Sequence, residues 1–462
     1  MTVDWLWWLQ VAFILYFLLL NGMYLLLNLL SMGSLMGYIR QRAETGELAP
    51  YLGVEPPVSV LMPAFNEEAT IRTAVRSMLQ LQYPEFEIVV INDGSKDRTL
   101  AVLIEEFDLV PHPEPLRQAV AHQPVQAIYR SRRYANLRVV DKANGGKADA
   151  LNAGINAARY GLFCGVDADS ILQRDSLLRV VQPFLEDERT VAAGGTVRIA
   201  NGSQVRGGFL IQAGLPRNWL ARFQIVEYLR AFLFGRLGWS PLNAVLIISG
   251  AFGLFDRERV MAVGGYRTDT VGEDMELVVR LHRYHREKRI RYLPDPICWT
   301  ECPEDLGTLG RQRSRWQRGL AESLGRHARL AFSLRGGTPG WLAWPFMALF
   351  EWVGPLIELV GYGFMLAGFA FGAVSYAALA TFLLVAIGMG ILLSVNGLLL
   401  ETMSFRVYSR RRDMLQLFLM AVLENFGYRQ LNTAWRCRGL WQWFSRRKHQ
   451  WGAMRRSGSW GQ

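Results

Sequence analysis

The 462 residues carry a formal net charge of +11, are 51% hydrophobic and include only four cysteines. That length exceeds one ordinary hydrophobic core, so a soluble unit plus at least one further unit is expected. The charge does not point to nucleic acid. Twelve Lys/Arg fall between Arg406 and Arg456 against Asp413 and Glu424, interleaved with Trp435, Trp441, Trp443, Trp451 and Trp460. That is the composition of a surface meeting anionic membrane lipids, and no nucleic-acid-binding module accompanies it. Cys164, Cys298, Cys302 and Cys437 are scattered, which gives neither a disulfide framework nor zinc-ligand spacing.

In chain order, residues 5–30 are apolar apart from Gln10, Asn21 and Asn28, longer than the roughly 20 residues a spanning helix needs. They predict a transmembrane helix within a first unit, 1–35. Asp4 precedes the run while Arg40 and Arg42 follow it, so the positive-inside bias puts the next unit in the cytoplasm, and a cleaved signal peptide is not indicated.

Residues 55–330 predict a cytosolic α/β unit. Strands at 58–63, 87–92, 138–140 and 162–166 alternate with helical patterns at 69–81, 99–107 and 148–158. Such βα repetition predicts a mostly parallel, Rossmann-like sheet with polar residues clustered at the strands' carboxyl ends. Residues 109–134, with four prolines, read as a surface insertion. Residues 341–435 then supply apolar segments at 356–374 and 376–402, a hairpin crossing out and back. The stretch 415–423 is followed too closely by Glu424, Asn425 and Arg429 to span, and reads as interfacial or re-entrant. A basic, tryptophan-rich cytosolic tail occupies 436–462.

Asp167 and Asp169 sit two apart just past an apolar strand, where two hard oxygen donors suit Mg2+ or Mn2+ carrying a diphosphate; turn chemistry is the plain alternative. Asp93 ends the neighbouring strand, either as a third acid at that edge or as part of an Asp-Gly turn with Ser95 as a helix N-cap. Lys147 follows Gly145-Gly146 and opens a helix, placing a cation beside N-terminal amides. Gly272-Glu273-Asp274 precedes another helix, whose dipole favours an ionised Asp274, a competent general base. His282 and His285 read as surface residues. Ser249 to Gly253 and Gly264-Gly265-Tyr266 permit close backbone approach or tight packing. Gln312, Arg315 and Trp316 share one helix face, an amide, a fixed cation and a flat apolar plate together.

Taken in order, PAFNEE at 63–68, NDGSKD at 92–97, NGGKADALN at 144–152, DADS at 167–170, GED at 272–274 and QRSRW at 312–316 resemble the family 2 glycosyltransferases. The likeness is greatest to the processive membrane synthases of poly-N-acetylglucosamine, hyaluronan, chitin and cellulose. The resemblance implies a GT-A fold, a UDP-sugar donor, Mg2+ or Mn2+, inversion at the anomeric carbon, and a growing glycan exported across the plasma membrane, with room for accessory export subunits. It further implies that Ala64, Glu67 and Asp93 hold the uridine, Lys147 the diphosphate, and Asp169 the metal with Asp167 nearby. Asp274, preceded by Glu273, would be the base, and Gln312, Arg315 and Trp316 would close over the nucleotide and stack the acceptor sugar. Two departures stand out. The base motif begins with Gly272 where many relatives have threonine, and Gly250-Ala251-Phe252 lacks the Cys-Gly of cellulose synthases, which turns the expectation away from cellulose. The short membrane part, about three spans, is nearer the hyaluronan and poly-N-acetylglucosamine type, with UDP-N-acetylglucosamine or UDP-glucose the favoured donor. Glu351 and Glu358 flank Pro355 in apolar sequence, either lining a sugar path or hydrogen-bonding within helix packing.

Overall fold

The computed structural model describes residues 4–45, 53–116, 118–333 and 336–445. Trp451, Trp460 and the rest of the expected tail beyond 445 lie outside the described residues.

Twelve strands are formed among the described residues: β1 Val58–Ala64, β2 Phe86–Asp93, β3 Leu109–Pro111, β4 Val125–Ser131, β5 Leu137–Lys142, β6 Leu162–Val166, β7 Ile171–Leu172, β8 Thr190–Ile199, β9 Gln204–Arg206, β10 Phe209–Gln212, β11 Phe252–Asp256 and β12 Arg289–Thr300. Ten make one sheet in the order β3-β4-β5-β2-β1-β6-β11-β8-β12-β7, and β9 pairs with β10 alone. The expected βα core is present: β1 runs parallel to β2 and β6, and β2 parallel to β5. The sheet as a whole is mixed, not mostly parallel, because β11 enters antiparallel between β6 and β8. Residues 109–134 are also more than a surface insertion. Their β3 and β4 extend the sheet at one edge, and Asn156 accepts from the Ala119 and Val120 amides at 3.1 Å, fastening the segment between them to the 147–157 helix.

The core strands are long apolar runs buried on both faces, as a sheet covered by helices requires; every residue of β6 and β8 is buried. Since β1 and β2 pair in register up to Ala64 and Asn92, the PAFNEE and NDGSKD loops leave the same sheet edge together. They interlock there. Ser95 Oγ accepts from the Asn66 amide at 3.0 Å, so Ser95 is not the N-cap of the next helix. Asn66 Oδ1 accepts from the Lys96 amide at 2.8 Å, and Asp97 Oδ2 from the Glu68 amide at 3.1 Å.

The first helix, Asp4–Thr45, continues well past the expected span. Phe13 and Phe17 pack on Phe364 and Phe382, and the far end reaches the large sheet, where Arg42 meets Asp295 of β12 at 2.8 Å. Among the described residues two helices are long and apolar enough to cross a membrane, Trp5–Ala43 and Tyr376–Ser404. The expected segment at 356–374 is instead a broken pair, Pro339–Trp352 and Gly354–Ala370, bent by 44°. Pro355 explains the break, because it has no N–H for the carbonyl one turn earlier. The helix Arg411–Leu423 has 13 residues, too few to span. Tyr428–Phe444 is one helix running across the expected 435/436 division.

Candidate active site

Four loops at the carboxyl edge of the sheet converge on Gly250. Lys147, first residue of the Lys147–Ala157 helix, pairs its Nζ with Asp167 and donates to Gly250 O at 3.0 Å. The Gly250 amide donates to Asp274 Oδ2 at 3.1 Å. A Cβ on Gly250 would stand 3.0 Å from Lys147 Nζ and 3.5 Å from Asp274 Oδ2. The close backbone approach anticipated at this glycine is therefore to the chain's own cation and carboxylate. A small cleft beside them is lined by Lys147, Ser249, Gly250, Tyr266, Glu273 and Asp274, among others.

Asp274 lies in the first turn of the Glu273–Tyr284 helix, where its Oδ1 accepts from the Met275 amide at 2.8 Å. Glu273 is buried. Burial pushes its carboxyl up to about 7, with Lys147 opposing and Asp274 adding to the rise. For Lys147, burial disfavours the ammonium, yet Asp167, Glu273 and Asp274 outweigh it and hold the pKa above the usual lysine value. The result is one secure cation held among three carboxylates, Asp167, Glu273 and Asp274, an arrangement suited to acid-base work beside a leaving phosphate.

Asp93 sits at the same edge with both oxygens committed. Oδ1 meets Lys142 Nζ at 2.5 Å and accepts from the Gly145 amide at 3.0 Å, while Oδ2 accepts from the Gly146 amide at 2.7 Å and Asn144 Nδ2 at 3.1 Å. In this structure Asp93 fixes the Gly-Gly-Lys turn. Lys142, fully buried, also pairs with Asp149 at 2.6 Å. Asn152 secures the far side of the pocket, donating to Tyr266 O at 2.8 Å and accepting from the Tyr266 amide at 2.7 Å. Lys142 and Asn152 were not singled out from sequence, although both lie in or beside NGGKADALN. Ala64 ends β1 in the core. Glu67 Oε2 accepts from Thr70 at 2.7 Å, so the PAFNEE loop is braced on the next helix.

The Leu306–Arg326 helix carries QRSRW and crosses the Gly272-Glu273-Asp274 turn. Glu322 Oε2 accepts from the Val271 amide at 3.0 Å and Thr270 Oγ1 at 2.8 Å, and His327 contacts Glu276 at 2.9 Å. Arg315 is near enough to Glu273 to offset part of its pKa rise. Trp316 is 43% exposed, with the Arg313 guanidinium 4.2 Å from its ring centre. Gln312 is half-buried and accepts from Arg313 at 3.3 Å. Arg313 meets Glu227 at 2.8 Å, and Tyr428 donates to the same carboxylate at 2.6 Å. His282 is a correction to the surface reading: it is buried with Nε2 2.9 Å from Val245 O, and burial pushes its pKa down to about 4. Trp435 and Trp443, expected at a lipid surface, pack on Gly310 and Trp352 respectively.

No group of three or more His, Cys, Asp or Glu able to hold a metal is formed among the described residues. Asp167 and Asp169 at the end of β6 nevertheless fit a cation that arrives with phosphate, since Mg2+ takes one or two carboxylates and completes its shell with water and phosphate oxygens.

The description "Glycosyl transferase family 2" matches residues 59–209, and "Glycosyl transferase family group 2" matches 163–393, half of the chain. Poly-beta-1,6-N-acetyl-D-glucosamine synthase of Staphylococcus epidermidis is 31% identical over 268 residues, 58% of this chain and 55% of that protein. The synthase of the same name from Staphylococcus aureus strain COL is 33% identical over 270 residues, again 58% and 55%. This chain thus aligns with about half the length of these relatives. Among solved structures, the mannosyltransferase PcManGT of Pyrobaculum calidifontis, in complex with GDP-Man and Mn2+, superposes with a TM-score of 0.53 at 19% identity, covering 88% of this chain and 99% of that one. That likeness is one of fold. With its sheet and its ordered motifs, the chain is a glycosyltransferase of GT-A fold and belongs to the family 2 glycosyltransferases.

Proposed function

We propose that the chain elongates a β-linked polysaccharide from a UDP-sugar, with UDP-N-acetylglucosamine the favoured donor, and passes the product across the membrane. The observation carrying this reading is the meeting of Lys147 and Asp274 on Gly250 beneath the helix that bears Arg315 and Trp316. The Staphylococcus relatives favour the sugar.

In this reading Ala64, Glu67 and the Asp93-anchored turn cradle the uridine, and Lys147 lies along the diphosphate. Trp316 stacks the acceptor sugar, with Gln312 and Arg315 closing over the nucleotide. Asp274 accepts the proton of the acceptor hydroxyl as its oxygen bonds to the anomeric carbon from the face opposite the diphosphate, giving inversion. As the bond to the diphosphate breaks, Lys147 and Arg315 balance the charge left on UDP. Such preorganised donors stabilise a leaving anion most where water is excluded. Mg2+ or Mn2+ held by Asp169 and Asp167 would supply further neutralisation of the diphosphate.

The helices Trp5–Ala43 and Tyr376–Ser404, with the bent pair, would anchor a multi-pass protein in the plasma membrane with its catalytic unit cytoplasmic. Accessory export subunits would complete any path these helices leave open. UDP release by detergent-purified protein with Mg2+ or Mn2+, scored against UDP-N-acetylglucosamine, UDP-glucose and UDP-glucuronic acid with product sizing, tests the reading. A long product from the first donor agrees with it, and a single sugar on lipid phosphate rejects it.

A further inference from the structure

Glu351 lies at the bend between Pro339–Trp352 and Gly354–Ala370. Four positions later Pro355 lacks the N–H that would complete an ordinary helical turn to Glu351 O. That carbonyl and its neighbour are instead taken by side chains from outside the membrane hairpin. Gln317 Nε2 donates to Glu351 O at 2.8 Å and to Trp352 O at 3.1 Å. Arg436 Nη2 donates to Glu351 O at 2.7 Å and Glu351 Oε2 at 2.6 Å, while its Nε donates to Gln317 Oε1 at 2.8 Å. Tyr24 of the first helix donates to Glu351 Oε1. Gln317, only 3% exposed, directly follows Trp316 in sequence. One polar knot thus joins the first apolar helix, the broken hairpin, the C-terminal helix and the QRSRW helix.

We infer that Gln317 and Arg436 are positioning residues that hold the QRSRW helix against the bend at Glu351, keeping Trp316 in register with the membrane helices so that the elongating product is retained between additions. The inference rests on the proposed polymer synthesis. The helix is also seated on the Glu273-Asp274 turn by the Gly272–Gly319 backbone contact, four residues from Arg315 on the face turned away from Gln317, so loosening the knot shifts Trp316 more than Arg315 and the donor pocket. Satisfied buried polar groups fix one geometry, whereas half-satisfied ones let the helix settle elsewhere.

The test compares wild type with Gln317→Leu, Arg436→Met and Arg436→Lys in nanodiscs, measuring initial UDP release and product length together. The expected result for the first two is UDP release within about threefold of wild type with a product at least about tenfold shorter, the signature of lost acceptor positioning. Arg436→Lys, which keeps a donor for Glu351, recovers part of the length. Unchanged length at preserved turnover overturns the inference, as does a parallel fall in release and length, which marks a merely structural role. Hydrogen–deuterium exchange over Leu306–Arg326 judges the knot separately from polymer synthesis. If wild type adds only one sugar, the polymer reading fails, yet exchange at least about tenfold faster in Arg436→Met still supports the knot, and unchanged exchange overturns it.

Discussion

Gly272 and Gly319 meet backbone to backbone: a Cβ on Gly272 would stand 2.9 Å from the Cα of Gly319, and a Cβ on Gly319 the same distance from the Cα of Gly272. This contact lets the QRSRW helix lie directly on the turn that presents Glu273 and Asp274. It also accounts for the glycine before Glu273 and Asp274, since a side chain there has no room.

Gly319→Val therefore forces the two elements apart. The expected cost is about 1–3 kcal/mol from overpacking, together with loss of UDP release larger than the change in thermal stability explains. Gly272→Thr has the same direction. Equal activity in either variant, measured beside a melting curve, argues against direct seating of the helix on the turn.

Asp274→Asn keeps an acceptor for the Gly250 amide but removes the carboxylate proposed as the base. UDP release is expected to fall by roughly 10²–10⁴-fold, with the melting temperature near that of wild type. Residual turnover above a tenth of wild type assigns the proton to another group.

Glu273 sets a pH dependence. Its carboxyl ionises near 4.5 when exposed and at about 7 when folded. Between those values the native state holds the extra proton, so stability falls as pH rises through this window and levels off above it. Glu273→Gln abolishes that slope. Melting temperature against pH for both proteins checks the sign, and identical curves refute the assignment.

Lys142→Met leaves Asp93 and Asp149 facing each other in the core without their shared cation. Removing one member of a buried ion group costs about 3–5 kcal/mol, and the Gly145-Gly146-Lys147 turn loses an anchor. Chemical denaturation should register the first effect and a raised donor KM the second. A stable variant with unchanged KM shows that the backbone amides alone hold Asp93.

The parallel βα core and its loops were legible because each strand is a short apolar run ending in turn chemistry, as in Val58–Ala64 and Phe86–Asp93. β8 and β12 were not. Thr190–Ile199 contains Gly194 and Gly195 within the strand, and Arg289–Thr300 carries Pro294 and Pro296 around its register shifts, so both lack the usual strand signature. The antiparallel insertion of β11 depends on pairing partners far apart in sequence, which local pattern does not encode. Lys147, Gly250 and Asp274, which the fold brings together, stand in loops that motif order singles out. Lys142 could not, because a lysine at a strand end reads as solvated until Asp93 and Asp149 close over it. The burial of His282 was hidden in the same way, since its partner Val245 is remote in sequence.

We propose polymer synthesis from a UDP-sugar at the pocket of Lys147, Gly250 and Asp274. Its most direct test is UDP release from UDP-N-acetylglucosamine by the purified protein with Mg2+ or Mn2+, with the product sized on a gel and Asp274→Asn run alongside. The account predicts metal-dependent release, a long polymer and the loss of both in the variant. Release without polymer, or polymer undiminished in Asp274→Asn, would contradict it.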